Sequence, residues 1–413
     1  MNLENGKLHL FDAYGMELEY MIVNRETFDV MPIADWLLSQ VGPMGAREVD
    51  RGALWWSNEL AMHVIELKGA GPVADMASLR YPFVENVRQI NDLLSVKNGC
   101  LMGSAVHPWM NPDRDTALWA LEDAPIYEAL DRTFGCQGHG WFNLQSAHLN
   151  LPFANDGEFA RLHAAIRLVL PIIPALAAAS PFLDGKDSGF SDARLQVYSQ
   201  HCNRLPEAIG DVIPEPVESR EQYHDVILAP LYRALKQREP EGVLQYEWSN
   251  ARGAIARFDR DAIEIRLIDV QEHPGMDAGV MGAVAAAVRL LAEQAEDDLA
   301  AMNAVSTQTL RRILNRAMAH GEHFFIRDSE YLHLLAGKRE PFSGLRLWRE
   351  ILARCDDFYG AERQAAEWII DNGTLATRMR RTTGEVTVAS LKALAQQLCH
   401  SLAAGEALTG MRT

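Results

Sequence analysis

The sequence contains few cysteines, and their spacing does not suggest that they act together. The five are Cys100, Cys136, Cys202, Cys355 and Cys399, an odd number scattered along 413 residues without a C-x-x-C pair. A disulfide framework or a zinc site built from such pairs is therefore not expected. This cysteine usage is typical of a reducing compartment, so we expect a cytoplasmic location.

Positive charge is also scarce. The chain has 39 lysines and arginines against 56 aspartates and glutamates, which gives a formal net charge of -17. Nucleic acids and anionic membrane surfaces select basic proteins, so neither is expected as the main partner. An anionic nucleotide is still compatible with this charge, because bound Mg²⁺ and a few arginines can reverse the field locally.

Segments that would direct the chain into a membrane are not apparent. Residues 1–6 lack the basic stretch and apolar core of a signal peptide. The apolar run 168–180 is too short for a membrane span, and Pro171 and Pro174 interrupt it. We therefore expect no membrane association.

The usual phosphate-binding and hydrolase motifs are missing as well. The sequence has no G-x-x-x-x-G-K-[ST] loop and no strand followed by G-x-G-x-x-G. It also lacks H-E-x-x-H and G-x-S-x-G. If this protein uses ATP, a sheet face and metal ions must therefore replace the missing phosphate loop.

The most informative segment that is present is 262–269, with the sequence AIEIRLID. Its alternation of apolar and charged residues is typical of a β-strand with two unlike faces. Glu264 and Arg266 then share one face, so that a carboxylate for a hard cation lies beside a guanidinium for a phosphate oxygen. A structural ion pair on a solvated face is the alternative, and it would be preferred if this strand stood alone.

Similar acidic strands recur earlier in the chain. Glu17 and Glu19 are two residues apart in the predicted strand 14–23, so both carboxylates leave the same face and repel unless a cation lies between them. Glu66 lies among the apolar residues of the predicted strand 64–67 and needs a partner there. Two exposed glutamates on an edge strand remain the alternative for the first pair.

A histidine lies on a further predicted strand, 142–151. Ser146, His148 and Asn150 share one face of that strand. A single histidine in a strand is more often structural than a ligand, but the polar face favours a place in a site.

The remainder of the chain is mainly helical in pattern. Residues 159–179 predict a buried helix that is kinked or broken at Pro171 and Pro174. Helical periodicity also covers 77–101 and, near the end, 278–302, 307–320, 344–355, 362–371 and 388–403. We predict a single domain over 1–413, in which 278–413 is a mainly helical part packed on the sheet.

Three arginines fall within four residues near the C-terminus, namely Arg378, Arg380 and Arg381. A solvated basic face and a phosphate-binding segment are about equally good interpretations.

Seven short segments, in order, carry a resemblance to a known family. They are Gly15–Glu19, Glu59 with Glu66 and Leu67, His107 with Pro108, His148–Asn150, Ser180–Arg194, Ile263–Asp269 and Gly373–Arg381. Together they resemble the carboxylate-amine ligase family related to type 2 glutamate-cysteine ligase and, more distantly, the catalytic domain of glutamine synthetase. One departure is that the family's H-V-H-V-G form reads Ser146-Ala147-His148-Leu149-Asn150 here. The metal histidine is kept, whereas the identity of the amine substrate is left open.

The resemblance implies a fold and an activity. The fold is α+β and glutamine synthetase-like, with a curved, mostly antiparallel sheet, an acidic concave face, helices packed behind it and a helical C-terminal third. The activity is ATP-dependent joining of glutamate or a similar carboxylate to an amine, through an acyl phosphate, to give an amide, expected to be of γ-glutamyl type. A guanidino kinase-like phosphotransferase and an inactive nucleotide- or metal-binding sensor are the alternatives, and a homo-oligomer is compatible with all three.

The resemblance also implies roles for individual residues. The ligands of Mg²⁺ or Mn²⁺ would be Glu17, Glu19, Glu59, Glu66, His148 and Glu264. Arg266 would contact the γ-phosphate of ATP and would be catalytic together with Glu264. Arg194 would bind a substrate carboxylate, and Arg378 and Arg381 would contact the nucleotide.

Overall fold

An eight-stranded antiparallel sheet organises the fold in the computed structural model, which describes residues 6–410 except for the side chains of 295–297. Residues 1–5, on which the absence of a signal peptide was argued, lie outside the described residues. The strands are β1 (Gly15–Asn24), β2 (Glu48–Asp50), β3 (Leu54–Asn58), β4 (Val64–Gly69), β5 (Gly99–Met102), β6 (Ser146–Pro152), β7 (Phe182–Leu183), β8 (Lys186–Asp187), β9 (Ala254–Arg257), β10 (Ala262–Asp269), β11 (Phe325–Ile326) and β12 (Phe342–Ser343).

The order of strands in the main sheet is β2-β3-β4-β1-β6-β10-β9. Strand β5 also pairs with β1, along residues 21–24, while β6 pairs with residues 15–18 of the same strand. The register of β6 with β10 shifts between Ile265 and Ile268. Such a bulge bends and twists a strand locally. The remaining strands form two small two-stranded sheets, β7 with β8 and β11 with β12.

The register gathers the acidic residues on one face of the sheet. Glu19 lies directly opposite Glu66, and Glu17 lies opposite His148. Glu264 lies opposite Asn150, which is two residues from His148 on the same face. Because directly opposed residues share a face, these side chains form one acidic face of the sheet, as the period-2 patterns predict.

Helices pack around the sheet, and some of them cover its other, apolar face. They are α1 (Ala34–Ser39), α2 (Ala77–Leu94), α3 (Pro112–Asp115), α4 (Ala124–Phe134), α5 (His139–Phe142), α6 (Asp156–Val169), α7 (Pro174–Ala177), α8 (Ala193–Tyr198), α9 (Arg220–Tyr223), α10 (Ala229–Arg238), α11 (Pro274–Ala304), α12 (Thr307–His320), α13 (Ser329–Ala336), α14 (Gly344–Leu352), α15 (Gly360–Asn372), α16 (Leu375–Thr383) and α17 (Val388–Ala404). Leu18, Leu149 and Ile263 on the apolar sheet face are fully buried in the core that these helices share. The mostly antiparallel α+β fold with a helical C-terminal third is therefore confirmed.

Helix α11 is the central helix of this core and packs against both α6 and α15. Its segment Pro274–Gln294 is long and apolar enough to cross a membrane by length and composition, and 83% of the most apolar window is buried inside the protein. Burial on all sides explains why the helix is apolar around its whole circumference.

Two predicted boundaries differ from the structure. Helix α2 ends at Leu94 rather than near 101, because Asn98 takes a left-handed conformation with φ of 56° and the chain then enters β5. The strand predicted over 142–151 begins only at Ser146. The preceding Asn143 is held in a loop, where its side chain accepts from the His107 amide at 2.6 Å and donates to the His107 carbonyl at 3.0 Å.

The interruption predicted near Pro171 is confirmed. Helix α6 ends at Val169, a 3₁₀ turn covers Leu170–Ile172, and α7 begins at Pro174. Proline lacks the amide hydrogen that a continuous helix would need at this point. The assignment of one domain to 1–413 stays a prediction.

Candidate active site

Two overlapping sets of side chains on the acidic face form the candidate metal centre. Ligand atoms of Glu17, Glu66 and His148 lie within 4.8 Å of one another, and so do carboxylate oxygens of Glu19, Glu59 and Glu66. Glu66 belongs to both sets. The cluster therefore offers two adjacent positions for a cation with a carboxylate between them.

His148 lies at the centre of the first set. Its Nδ1 is 3.2 Å from Glu17 Oε2 and 3.8 Å from Glu264 Oε1, and its Nε2 is 2.9 Å from the Ser146 hydroxyl. Burial alone would lower the pKa of His148, but its hydrogen bond to Glu17 and the charges of Glu19 and Glu264 raise it to about 9. These neighbours favour the charged imidazolium, which compensates part of the acidic cluster, whereas an imidazole that binds a metal must be neutral.

The carboxylates respond to burial and to each other in opposite directions. Burial opposes ionisation of Glu17, yet the hydrogen bond and charge of His148 outweigh it and lower the pKa of Glu17 to about 2. Burial and the neighbouring Glu19 raise the pKa of Glu59 to about 7. Burial, Glu17 and Glu59 raise the pKa of Glu66 well above its ordinary value. Carboxyls that resist ionisation side by side are stabilised as anions when a cation lies between them.

The donor set fits a hard divalent cation. Mg²⁺ and Mn²⁺ favour carboxylate oxygens, and an imidazole nitrogen is compatible with Mn²⁺. Some of these ligands are already oriented by neighbours, since Glu19 accepts from the Ser146 amide at 2.6 Å and Glu66 accepts from the Ser57 hydroxyl at 2.6 Å. Hydrogen bonds of this kind hold carboxylates in place for a metal.

Arg266 and Glu264 form an ion pair beside the cluster. Arg266 Nε donates to Glu264 Oε1 at 2.7 Å. Within the described residues, the two terminal nitrogens of Arg266 donate to no protein group, and 26% of its side chain is exposed. Burial alone would lower the pKa of Arg266, but Glu264 raises it overall, so the guanidinium is permanently charged. Its free end is available to an anion.

A cavity of about 420 Å³ opens on this end of the cluster. Glu19, Glu59, His148, Arg194 and Arg266 line its wall on the sheet side. The volume is in the usual range for small-molecule sites. The acidic cluster, the terminal nitrogens of Arg266 and the cavity therefore form one continuous site.

Comparison with known proteins identifies the family. A sequence model described as "Glutamate-cysteine ligase family 2(GCS2)" matches residues 13–396. The chain belongs to this family.

Individual relatives resemble this chain in sequence, and a solved structure resembles it in fold. An "Uncharacterized protein" of Archaeoglobus fulgidus is 38% identical over 286 residues, which cover 69% of this chain and 76% of the relative. A protein of Cupriavidus metallidurans named "Putative glutamate--cysteine ligase 2" is 29% identical over 47% of this chain, and the match spans only 49% of that relative's length. The glutamate-cysteine ligase of Francisella tularensis, solved in complex with AMP, shares the fold with a TM-score of 0.58 at 12% identity, covering 95% of this chain and 89% of that one.

Arg194, which the GCS2 resemblance assigned to a substrate carboxylate, lies at the cavity wall. Its Nε donates to Asp269 Oδ1 at 2.5 Å, and its terminal nitrogens are 3.4 Å from the Arg266 carbonyl. Asp269 is itself held by the Ala179 amide and the Ser180 hydroxyl. The guanidinium is thus fixed by a buried carboxylate, while its terminal nitrogens make only long contacts with the protein.

Arg378 and Arg381 are not brought to the cluster. Arg378 is fully buried and ion-paired with Glu272, and its nitrogens also donate to the carbonyls of Gly373 and Leu408. Every nitrogen of this guanidinium donates to a protein acceptor, and the nucleotide contact that the resemblance implied stays a prediction. Arg381 is exposed and donates to the Asn372 carbonyl at 2.7 Å, away from the residues that line the cavity.

The sequence analysis missed two cations next to the cluster. Lys68 Nζ lies 3.2 Å from Glu48 and 3.7 Å from Glu66, and an Arg257 terminal nitrogen donates to Glu264 Oε2 at 3.2 Å. Lys68 is two residues beyond Glu66 in the same strand, so the period-2 rule places it on the acidic face. Arg257 reaches that face only through the register of β9 on β10, which the local pattern does not reveal.

Proposed function

We propose that this GCS2 protein is an ATP-dependent carboxylate-amine ligase that forms an amide, of γ-glutamyl type when glutamate is the carboxylate substrate. The observation that carries the proposal is the continuity of three parts. The carboxylate cluster contains two overlapping sets of three ligands and lies beside Arg266, whose terminal nitrogens donate to no protein group among the described residues. Residues of the cluster and Arg266 both line the cavity. Phosphoryl transfer between anions needs positive charge on the transferring group and an enclosed place for the acceptor.

The proposed reaction has two steps. First, a carboxylate oxygen of glutamate attacks the γ-phosphorus of ATP, the bond from that phosphorus to the β–γ bridging oxygen breaks, and an acyl phosphate and ADP form. Second, the nitrogen of an amine attacks the acyl carbon, and phosphate leaves with the electrons of the carbon–oxygen bond. The nitrogen loses a proton, and the products are an amide, ADP and phosphate.

The residues of this chain supply charge and position for both steps. Arg266 stabilises the charge that develops on the transferring phosphoryl oxygens, and Glu264 orients its guanidinium through the Nε hydrogen bond. Arg194, held by Asp269, binds a carboxylate of the substrate. Glu17, Glu19, Glu59, Glu66, His148 and Glu264 would hold Mg²⁺ or Mn²⁺. When bound, these ions neutralise charge on the phosphates and on the attacking carboxylate. Alignment of the reactants could contribute about 7–11 kcal/mol to lowering the barrier.

A screen of amines tests the proposal. The protein is incubated with ATP, Mg²⁺, glutamate and one amine at a time, and phosphate release and product mass are measured. Phosphate release that depends strictly on the amine, with the mass of the amide, is the expected result. A phosphorylated guanidino product without free phosphate would indicate a phosphotransferase instead, and nucleotide binding without turnover for any amine would indicate a sensor.

A further inference from the structure

The lining of the cavity combines two chemically distinct sets of side chains. One set is the charged residues described above. The other set, here called the apolar lobe, is Leu60, Ala61, Val64, Ile126, Tyr127, Leu130, Phe134, Trp141, Leu144, Tyr198, His201, Cys202 and Trp248. A ligand that fills the whole cavity must therefore present both charged and hydrocarbon groups to the lining.

One face of helix α4 forms much of the apolar lobe. Ile126, Leu130 and Phe134 are spaced four residues apart, so they form a single stripe along this helix. Ile126 and Leu130, like Trp141 and Leu144 across the lobe, are only partly buried by the protein. Large apolar side chains around a concave space are expected to be covered by a ligand.

Several polar groups of the apolar lobe are already bonded within the protein. Tyr127 Oη bonds with Asn58 Nδ2 at 2.9 Å, and Trp141 Nε1 donates to the His201 carbonyl at 3.1 Å. Burial lowers the pKa of His201 to about 4, so its ring is neutral near pH 7. A polar substituent placed here would lose its water and find few free partners.

The cations that line the cavity limit which anions it can hold. Arg47 at the rim is ion-paired with Asp123. Among the described residues that line the cavity, two cations are left: Arg266, whose terminal nitrogens donate to no protein group, and Arg194, whose terminal nitrogens make only 3.4 Å contacts with the Arg266 carbonyl. The proposed reaction uses both, one for the reacting carboxyl and phosphoryl oxygens and one for the second carboxylate of glutamate. No cation remains for a carboxylate on the amine substrate.

Resting on the proposed ligase function, we propose that the amine substrate is an arylalkyl or long alkyl amine without a carboxylate, rather than a small polar amino acid such as cysteine. Its nitrogen lies on the acidic side near Glu59, which directly precedes Leu60 of the lobe wall. Its hydrocarbon group lies against the α4 stripe. The carboxylate substrate occupies the opposite side at Arg194 and Arg266.

A homologous series of amines tests this substrate class. With ATP, Mg²⁺ and glutamate, kcat/KM is measured for butylamine, pentylamine, hexylamine, phenethylamine and cysteine. Each added methylene is expected to raise kcat/KM by roughly tenfold until the lobe is full. Phenethylamine is expected to exceed cysteine by about 100-fold. Turnover with cysteine at a higher kcat/KM than with any apolar amine would overturn this inference and leave the ligase function standing, whereas no phosphate release with any amine would count against the ligase function itself.

A matched pair of variants locates the hydrocarbon group. Leu130→Gln places an amide in the α4 stripe and is expected to raise the KM for phenethylamine at least tenfold, with the KM for ATP unchanged. Leu121→Gln is the control, because Leu121 is 41% exposed and does not line the cavity. Equal KM values for phenethylamine in the two variants would place the amine elsewhere.

Calorimetry provides a readout that is independent of turnover and of the stability of the variants. Phenethylamine is titrated into the unmodified protein in the presence of a non-hydrolysable ATP analogue. Binding with a negative heat-capacity change is expected, because this sign marks burial of apolar surface. Absence of binding by phenethylamine, together with binding of cysteine under the same conditions, would contradict the proposal.

Discussion

At the scale of single residues, Glu66 is the point where the two ligand sets meet. Its carboxyl lies among apolar strand residues, accepts from Ser57 and faces Glu17 and Glu59. A cation bound between these carboxylates would offset their mutual repulsion and favour their ionised forms. Arg266 differs from Glu66 in having a partner of opposite charge, Glu264. Among the described residues, its terminal nitrogens donate to no protein group.

The first prediction concerns Arg266. Arg266→Lys keeps a positive charge and loses the planar guanidinium that can hold two oxygens at once. If the group stabilises the transition state, kcat should fall by roughly 10²–10³-fold, with a much smaller change in the KM for ATP. Steady-state kinetics and the melting temperature are measured together.

The control for this variant is Arg289→Lys, in a surface ion pair with Glu293. It should leave turnover unchanged. A variant of Arg266 that melts at a lower temperature but turns over normally would show that the Arg266–Glu264 pair is structural.

The second prediction concerns the pH dependence of stability. Burial raises the pKa of Asp277 to about 8 from an ordinary value of 3.8, while the Gln271 amide and the Tyr20 hydroxyl donate to its two oxygens. Between these two pH values the folded protein holds a proton that the unfolded chain has lost. The free energy of unfolding therefore falls as pH rises, by at most roughly 1.4 kcal/mol per pH unit from this group.

Asp277→Asn cannot titrate and has nearly the same shape. Its free energy of unfolding, measured by urea denaturation from pH 5 to pH 8, should decline less steeply than that of the unmodified protein. Parallel pH profiles for the two proteins would mean that Asp277 is ionised in the folded state.

At the scale of secondary structure elements, small residues set the distance between α11 and α15. A Cβ on Gly279 would lie 2.6 Å from the Cβ of Ala365 and 3.1 Å from the amide nitrogen of Ala366. Neither atom can move without shifting a backbone. The close contact of these two helices thus depends on the missing side chain at this position.

The third prediction follows from this contact. Gly279→Ala favours the helical conformation by about 0.5–1 kcal/mol, but the overlap with α15 should cost about 1–3 kcal/mol, so the protein is destabilised overall. Thermal and urea unfolding measure the difference. Gly71→Ala is the matched control, because an added Cβ there meets nothing within 4 Å. Equal stability of the two variants would show that α11 and α15 are not packed as closely as described.

At the scale of the whole molecule, binding of a metal should be coupled to the stability of the fold, because the ligands come from β1, β4, β6, β10 and the loop after β3. Mg²⁺ or Mn²⁺ at 100 times its dissociation constant would stabilise the folded state by about 2.7 kcal/mol. The fourth prediction is therefore a rise in melting temperature on addition of either ion, measured without nucleotide.

Glu66→Gln should abolish most of this rise, because the residue belongs to both ligand sets. Without metal the variant should melt at the same temperature as the unmodified protein or higher, since glutamine, unlike the carboxyl of Glu66, cannot ionise in the crowded cluster. Glu330→Gln, at a surface carboxylate with 70% of its side chain exposed, is the control and should keep the full metal response. Equal metal responses of the two variants would place the cation outside the cluster.

Local periodicity was sufficient to predict which residues share a face. Glu17 with Glu19, and Glu264 with Arg266, are each two residues apart in a strand, and alternation alone places each pair on one side of a sheet. The helix break after Val169 could likewise be predicted from the sequence, because proline disrupts the hydrogen bonding of the helical turn in which it lies. Both inferences depend only on neighbours in the chain, and the structure confirms them.

Tertiary structure alone decided which distant residues meet. The register of β1 with β4 places Glu19 opposite Glu66, the hairpin of β9 and β10 brings Arg257 to Glu264, and α16 carries Arg378 to Glu272 and away from the cluster. The sequence could not distinguish Arg266 from Arg378, since the local pattern does not show which acceptors reach each guanidinium. Their difference arises from long-range packing, which leaves the terminal nitrogens of one guanidinium open to a cavity and encloses the other among protein acceptors.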